Sequence, residues 1–327
     1  FDFREEYEKR IVNYIYTGYE KGLTPNPDIL CNNLVKFDCF LEEALEYGFD
    51  KIATGHYARI VEKGLVKSKI ESLKSENICA KNEHRNELYE GSTANEGVEF
   101  WTQRLSFSEI SFHLLKWVDP NKDQSYFLSR LNQFQLAHAL FPIGHLHKSE
   151  VREIARKAGL PNAERKDSQG LCFIGKVSMK EFLEKRLLKK SGNIINTRGK
   201  VLGQHEGAFS YTIGQRKGIQ IGGGPALFVV AKDTANNTIT VGTEAELELH
   251  SSELTAIDWH WLGEVREFPF HARAKIRYRQ DDQDIKCVQD GENRIRIRFS
   301  SPQRAITSGQ TIAVYEGEEL IASGVIE

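Results

Sequence analysis

Two stretches near the carboxyl end leave the backbone little choice. Arg273, Lys275, Arg277 and Arg279 alternate with Ala272, Ala274, Ile276 and Tyr278, and Arg294, Arg296 and Arg298 alternate with Ile295, Ile297 and Phe299. A period of two puts successive side chains on opposite faces of an extended chain, so each stretch reads as a strand with one charged and one apolar face. With 311–315 and 321–326 following in the same style, they predict a small antiparallel β-barrel over 258–327. Residues 271–279 carry four cations and no acid, and 293–304 do the same, while Asp281, Asp282, Asp284, Asp290 and Glu292 fall in the connection between them. That segregation resembles a backbone-phosphate track, against the plainer reading of a solvated barrel face.

The rest of the chain has a different grammar. A helix over 4–20 stops at Gly22, and Thr24-Pro25-Asn26-Pro27 makes a stiff extended loop. An amphipathic helix over 32–47 ends at Gly48, and a short buried strand over 51–54 breaks at Gly55. Helix, strand and then glycine is α/β order, in which ligands collect at the carboxyl ends of the strands. Residues 62–111 are rich in Lys, Glu, Asn and Ser and read as a surface insertion. Helices are expected over 125–140 and 149–158, and the first domain over 1–175. Dense glycine between Gly192 and Gly224 and short β-rich pieces at 226–231 and 238–241, around an Asn236-Asn237 turn, suggest a small mixed domain over 176–257. A chain of 327 residues with 40% hydrophobic side chains has enough apolar surface for such a three-part arrangement. No apolar run approaches the roughly 20 residues that span a bilayer.

The net charge of -2 hides a local excess, since 145–190 holds twelve Lys or Arg against six Asp or Glu. Five cysteines without CxxC pairing argue for a reducing compartment and against zinc. Cys31, read as sitting at or just before a helix start, is either a nucleophile favoured by the dipole or a buried structural thiol. Cys39, inside the helix among apolar residues, reads as structural. Cys172 lies in a loop between Gly170 and Gly175 with Arg165 and Lys166 nearby, surroundings that lower a thiol pKa. Lys122, Asp123 and Gln124 form a polar loop, for which a helix N-cap is the plain alternative. Gly55-His56 after the strand is placed to approach a nucleotide, or else the histidine is merely packed.

Four long motifs in order, Thr24-Pro-Asn-Pro-Asp-Ile-Leu-Cys-Asn, Ile52-Ala-Thr-Gly-His-Tyr-Ala-Arg, Asn121-Lys-Asp-Gln-Ser-Tyr-Phe-Leu and Lys166-Asp-Ser-Gln-Gly-Leu-Cys-Phe-Ile-Gly, resemble the tRNA-specific 2-thiouridylases. Tyr211-Thr-Ile-Gly-Gln-Arg-Lys-Gly and Arg277-Tyr-Arg-Gln extend the likeness over nearly the whole chain. The resemblance implies an ATP-pyrophosphatase-type α/β domain, a small central domain and a tRNA-contacting β-barrel. It implies ATP with Mg2+ as co-substrate, tRNA as partner, and a sulfur carrier or cysteine desulfurase as donor. Cys172 would bear the persulfide and Cys31 would resolve it through a disulfide. Asn26, Pro27 and Asp28 would meet the target base, and Gly55 would lie at the ATP site. His56, Lys122, Asp123, Gln124, Arg277, Tyr278 and Gln310 would touch tRNA.

A departure accompanies the likeness. The family's SGGxDS-like phosphate loop occurs nowhere in these 327 residues, so this chain is expected to bind ATP poorly and to be inactive alone, with the loop expected upstream. A bacterial cytoplasm and an organelle matrix fit equally, and no membrane is implied. Two other readings stay open: an ATP-pyrophosphatase acting on a small molecule, and a non-catalytic tRNA-binding fragment.

Overall fold

The computed structural model describes residues 1–64, 110–164, 177–246 and 249–327. The first helix, α1, runs over 4–20, with wider π turns at Glu8–Val12, and ends where Gly22 turns at φ +79°. The second, α2, runs over 27–46 with π turns at Asn32–Cys39. It begins earlier than the sequence suggests, because Pro27 takes the first helical position, where its missing N–H costs nothing. Ile52–Ala53 (β1) pairs in parallel with Ala139–Leu140 (β4), and Arg59–Gly64 (β2) forms an antiparallel hairpin with Ile110–Leu115 (β3). The interior of the 62–111 stretch, with Cys79, lies outside the described residues.

The expected helix over 125–140 is broken. A single 3-10 turn at Ser125–Leu128 is followed by the short helix α3, Gln133–Ala137, and then by β4. Asn132 forces the restart, since its side chain accepts from the Gln135 N–H while Gln135 reaches back to the Asn132 N–H. Lys148–Lys157 forms α4, close to expectation.

The helix Met179–Leu183 (α5) packs Phe182 and Leu183 against α1 and α2, and the Tyr16 hydroxyl donates to the Phe182 carbonyl at 2.6 Å. A four-stranded mixed sheet follows, built from Gly192–Asn196 (β5), Val201–His205 (β6), Phe228–Asp233 (β7) and Thr238–Gly242 (β8), in the order β6-β5-β8-β7. Between β7 and β8 the chain turns at Asn237, whose φ of +48° asparagine tolerates.

His250–Trp261 (β9), Phe270–Lys275 (β10), Gln283–Gln289 (β11), Arg294–Arg304 (β12), Thr311–Glu316 (β13) and Glu319–Ile326 (β14) form a closed antiparallel barrel. Its order is β13-β10-β11-β12-β9-β14, closed by the β13–β14 pair. Two readings change here. The alternation around 272–279 stops at Lys275, beyond which Arg279 turns at φ +64° and Arg277 folds back onto backbone carbonyls. The acid-rich connection is itself partly the strand β11, which sets Asp284 opposite Arg273. Charges separated along the sequence therefore meet across strands: Arg296 pairs with Asp290 at 2.7 Å, Arg298 with Glu253 at 2.7 Å and Arg294 with Glu327 at 2.6 Å. The unbroken cationic track of the sequence reading is locally neutralised.

Besides the barrel's own interior, around Ile276, Ile297 and Val314, a second core spans the barrel and the first domain. Leu262, Ala313, Tyr315 and Leu320 of the barrel are buried together with Phe37, Leu41, Leu114, Tyr126, Leu128 and Leu131. Each leucine or phenylalanine among them contributes roughly 1.5–3 kcal/mol of burial. The turn before β13 meets the proline loop, where Gly309, at φ +85°, leaves no room for a Cβ, which would lie 2.9 Å from the Thr24 nitrogen. Substituting Gly309→Val should therefore cost roughly 2–4 kcal/mol by strain and overpacking. Urea unfolding checks this, and a midpoint equal to that of the native chain would contradict the packing described.

Candidate functional site

The proline loop is clamped from the barrel side. The Thr24 N–H donates to the Ser308 carbonyl at 2.9 Å, and the Gln310 side-chain amide donates to the Thr24 carbonyl at 2.6 Å. Asn26 takes the extended backbone of an N-cap but spends its side chain elsewhere, on the Tyr126 hydroxyl. Tyr126 is buried and also donates to the Thr311 carbonyl at 2.8 Å. Pro27 is buried and Asp28 half-buried in the first turn of α2. Cys31 is fully buried, beside Ile11, Ile15, Val35 and Phe182. It is the fifth residue of the helix rather than its start, so the dipole effect expected at a helix end is largely spent before reaching it.

Thr54, Gly55 and His56 follow β1 at its carboxyl end. Gly55 stands in open space among the described residues, none of which, its chain neighbours aside, comes within 4 Å of where a Cβ would be. The His56 Nδ1 lies 2.8 Å from the Thr54 hydroxyl, and its ring sits 5.9 Å from both Phe37 and Phe141. Burial, helped by the positive charge of Lys36, pushes the His56 pKa down to about 3. The ring is therefore neutral at physiological pH and offers hydrogen bonding or stacking rather than a cation.

The 122–124 turn knits these pieces together. Gln124 and Tyr57 exchange hydrogen bonds, each at 2.9 Å. Tyr57 stacks on Trp117 at 4.1 Å, and the Lys122 ammonium lies 5.4 Å from the Tyr57 ring. Asp123 faces inward: it is 6% exposed and accepts from the Trp117 and Ser125 N–H groups at 3.1 Å and from the Ser125 hydroxyl at 3.0 Å. Arg277 donates to the Ala305 carbonyl and to Thr307, and Tyr278 lies 4.4 Å from the Phe127 ring.

Asn26, Pro27, Asp28 and Cys31 are thus tied through 124–128 to Gly55-His56 on one side and to Arg277, Tyr278 and Gln310 on the other. The Asn32 amide completes the tie by donating to the Phe127 carbonyl at 2.9 Å. Cys172, with Arg165 and Lys166, lies outside the described residues. Sequence reasoning passed over Tyr126 and Thr24. Both stand inside the quoted motifs, but the partner that gives Tyr126 its place is 185 residues away, and no local spacing signals it.

The chain matches known families along its length. Residues 1–89 and 100–176 match the tRNA methyl transferase HUP domain, 180–243 the tRNA methyl transferase PRC-barrel domain, and 251–326 the aminomethyltransferase beta-barrel domain. It is 38% identical to "tRNA-specific 2-thiouridylase MnmA 2" of Geobacillus kaustophilus over all of this chain and 76% of that protein. It is 38% identical to "tRNA-specific 2-thiouridylase MnmA" of Alkaliphilus oremlandii, covering 79% of it, and 39% identical to that of Streptococcus thermophilus, covering 77%. Among the described residues no helix is long and apolar enough to cross a membrane.

The depressed histidine has a consequence for stability. The folded ring resists protonation until about pH 3, whereas an unfolded one takes its proton near 6.5. Lowering the pH through that window lets the unfolded chain bind the extra proton, so folding is destabilised as pH falls. Urea midpoints between pH 7 and 4 should fall more steeply for the native chain than for His56→Gln, and parallel slopes would contradict a half-buried ring held neutral by desolvation.

Proposed function

The chain belongs to the tRNA-specific 2-thiouridylase family, and on that premise we propose that its sulfur reaches C2 of a wobble uridine by way of a Cys172 persulfide resolved by Cys31. Two of the domain descriptions speak of methyl transfer. The full-length relatives are named for thiolation, and they cover the whole chain where each domain covers a part, so they carry the reading.

The observation that supports it best is the clamp on the proline loop. Asn26, Pro27 and Asp28 are presented at the junction of α2 and the barrel by groups distant in sequence, Gln310 and Tyr126. A base turned out of the anticodon stack needs such a rigid rim to meet. Open space at Gly55, on the carboxyl end of β1, suits the approach of ATP, which with Mg2+ on its phosphates is the co-substrate that adenylates the uridine oxygen. The terminal sulfur of the persulfide then attacks C2 and AMP leaves. The Cys31 thiolate attacks the inner sulfur of Cys172, so that a Cys31–Cys172 disulfide forms and the S–S bond to the transferred sulfur breaks, leaving it on the base. An external thiol must reduce the disulfide before the next cycle. The sulfur donor is a persulfide carrier or cysteine desulfurase. His56, Lys122, Gln124, Arg277, Tyr278 and Gln310 border the tRNA. The named relatives are bacterial, which supports a bacterial-type cytoplasm as the compartment.

Because these 327 residues contain no glycine-serine phosphate loop, thiolation by them alone should be negligible, and robust turnover on unmodified tRNA with ATP and a sulfur donor would overturn that. Persulfide loading tests the sulfur route without ATP. Incubation with a desulfurase and cysteine should add one sulfur at Cys172, seen by peptide mass spectrometry. Cys172→Ser should abolish the adduct and Cys31→Ser should let it accumulate. A site that never loads leaves tRNA binding as the function.

A further inference from the structure

Four charged side chains, two of each sign, are wholly or largely shielded where the first domain meets the barrel. Asp123 and Lys116 come from the first domain, and Lys275 of β10 and Asp282 from the barrel. The Lys275 ammonium lies 3.4 Å from Asp123 and 3.6 Å from Asp282, and Lys116 pairs with Asp282. The side chains of Asp123, Asp282, Lys275 and Lys116 retain only 5%, 11%, 13% and 16% of their exposure. Tyr315 supplies the floor: its ring lies 4.3 Å from the Lys116 ammonium and 5.5 Å from that of Lys275, and its hydroxyl lies 3.1 Å from that of Ser125.

Asp123 of the first domain finds its cation in Lys275 of the barrel, and Asp282 of the barrel is met by Lys116 of the first domain as well as by the half-exposed Arg273, 3.9 Å away. Asp123 binds the N–H groups of Trp117 and Ser125 on either side of the 119–124 loop, so anything that fixes its carboxylate fixes the loop. Its neighbours point the other way, Gln124 and Lys122 both bracing Tyr57. A buried carboxylate without a matching cation is strongly disfavoured. The barrel thus holds this loop through charge as well as through packing.

We infer that Lys275, with Lys116 and Asp282, is a positioning residue for tRNA: by neutralising Asp123 from the barrel it sets the 122–124 turn in the conformation that meets the nucleic acid, and Asp123 itself does not touch it. The inference rests on the tRNA reading above. It departs from the expectation that Asp123 touches tRNA, since that side chain faces inward.

Two measurements on the full chain test it, using the native protein, Lys275→Met, Asp123→Asn and the double variant. One is hydrogen exchange of the peptide over 116–126, which needs no tRNA. The other is the Kd for an unmodified tRNA. Lys275→Met should speed exchange there and raise the Kd about tenfold, the scale of one lost charge-assisted contact. The double variant, neutral on both sides, should recover most of both. Weakened binding with unchanged exchange would overturn the inference, because it marks a direct contact with tRNA. Faster exchange with unchanged Kd would overturn it too, leaving the cluster merely structural, as would a double variant no better than Lys275→Met. A native chain that binds no tRNA would instead sink the underlying reading, whatever the exchange shows.

Discussion

The segment from Ser111 to Gln135 surrenders much of its hydrogen bonding to the barrel, and this transfer fixes where the site residues stand. The Tyr126 hydroxyl goes to the Thr311 carbonyl, Arg130 makes two contacts to Asp258, and Gln133 donates to the Leu262 carbonyl. From the other side, Ser323 donates to the Ser129 carbonyl and His260 bonds that of Leu131. Polar groups buried in this way are costly to leave unsatisfied, so each bond admits essentially one arrangement of the two parts. Domains that share only a polar interface move against one another by default. Here Leu320 and Tyr315 of the barrel are packed in one apolar core with Phe37, Leu41 and Tyr126 of the first domain, so the two parts hold one another through apolar as well as polar groups.

Electrostatics on the barrel follow the strand order rather than the sequence. Because β11 and β9 flank β12, their acids reach its arginines, and the outer face carries interleaved ion pairs instead of a continuous positive stripe. Exposed pairs of this kind contribute little to stability. Their effect on recognition is larger, since an arginine already held by a carboxylate must exchange partners to hold a phosphate. Near the domain junction Arg277 and Tyr278 leave the regular strand, and Arg277 turns to the Ala305 carbonyl.

Much of this was legible in the residues. Period-two alternation identified barrel strands, and Gly22 and Gly48 marked helix ends that the structure places at those turns. The motifs pointed to Asn26, Gly55, Gln124 and Arg277, which the fold links through a single connected frame. What escaped was non-local. The restart at Asn132 depends on a two-residue exchange that competes with a continuous apolar pattern, and the strand β11 is hidden by the acids Asp281, Asp282 and Asp290 that flank it. Likewise, the inward turn of Asp123 requires a lysine 152 residues further on, which no window of sequence can contain.

The β2–β3 hairpin carries its own implication. Its last paired residues, Gly64 and Ile110, face each other in register, and β3 reaches the barrel through Leu115 opposite Glu319. Whatever length of chain leaves at one of these positions returns at the other, a strand's width away, so the ends meet without help from the intervening residues. Doubling that length would add only about 0.6 kcal/mol of closure entropy. A change in that length therefore costs little thermodynamically and leaves the register of β2 against β3 unmoved.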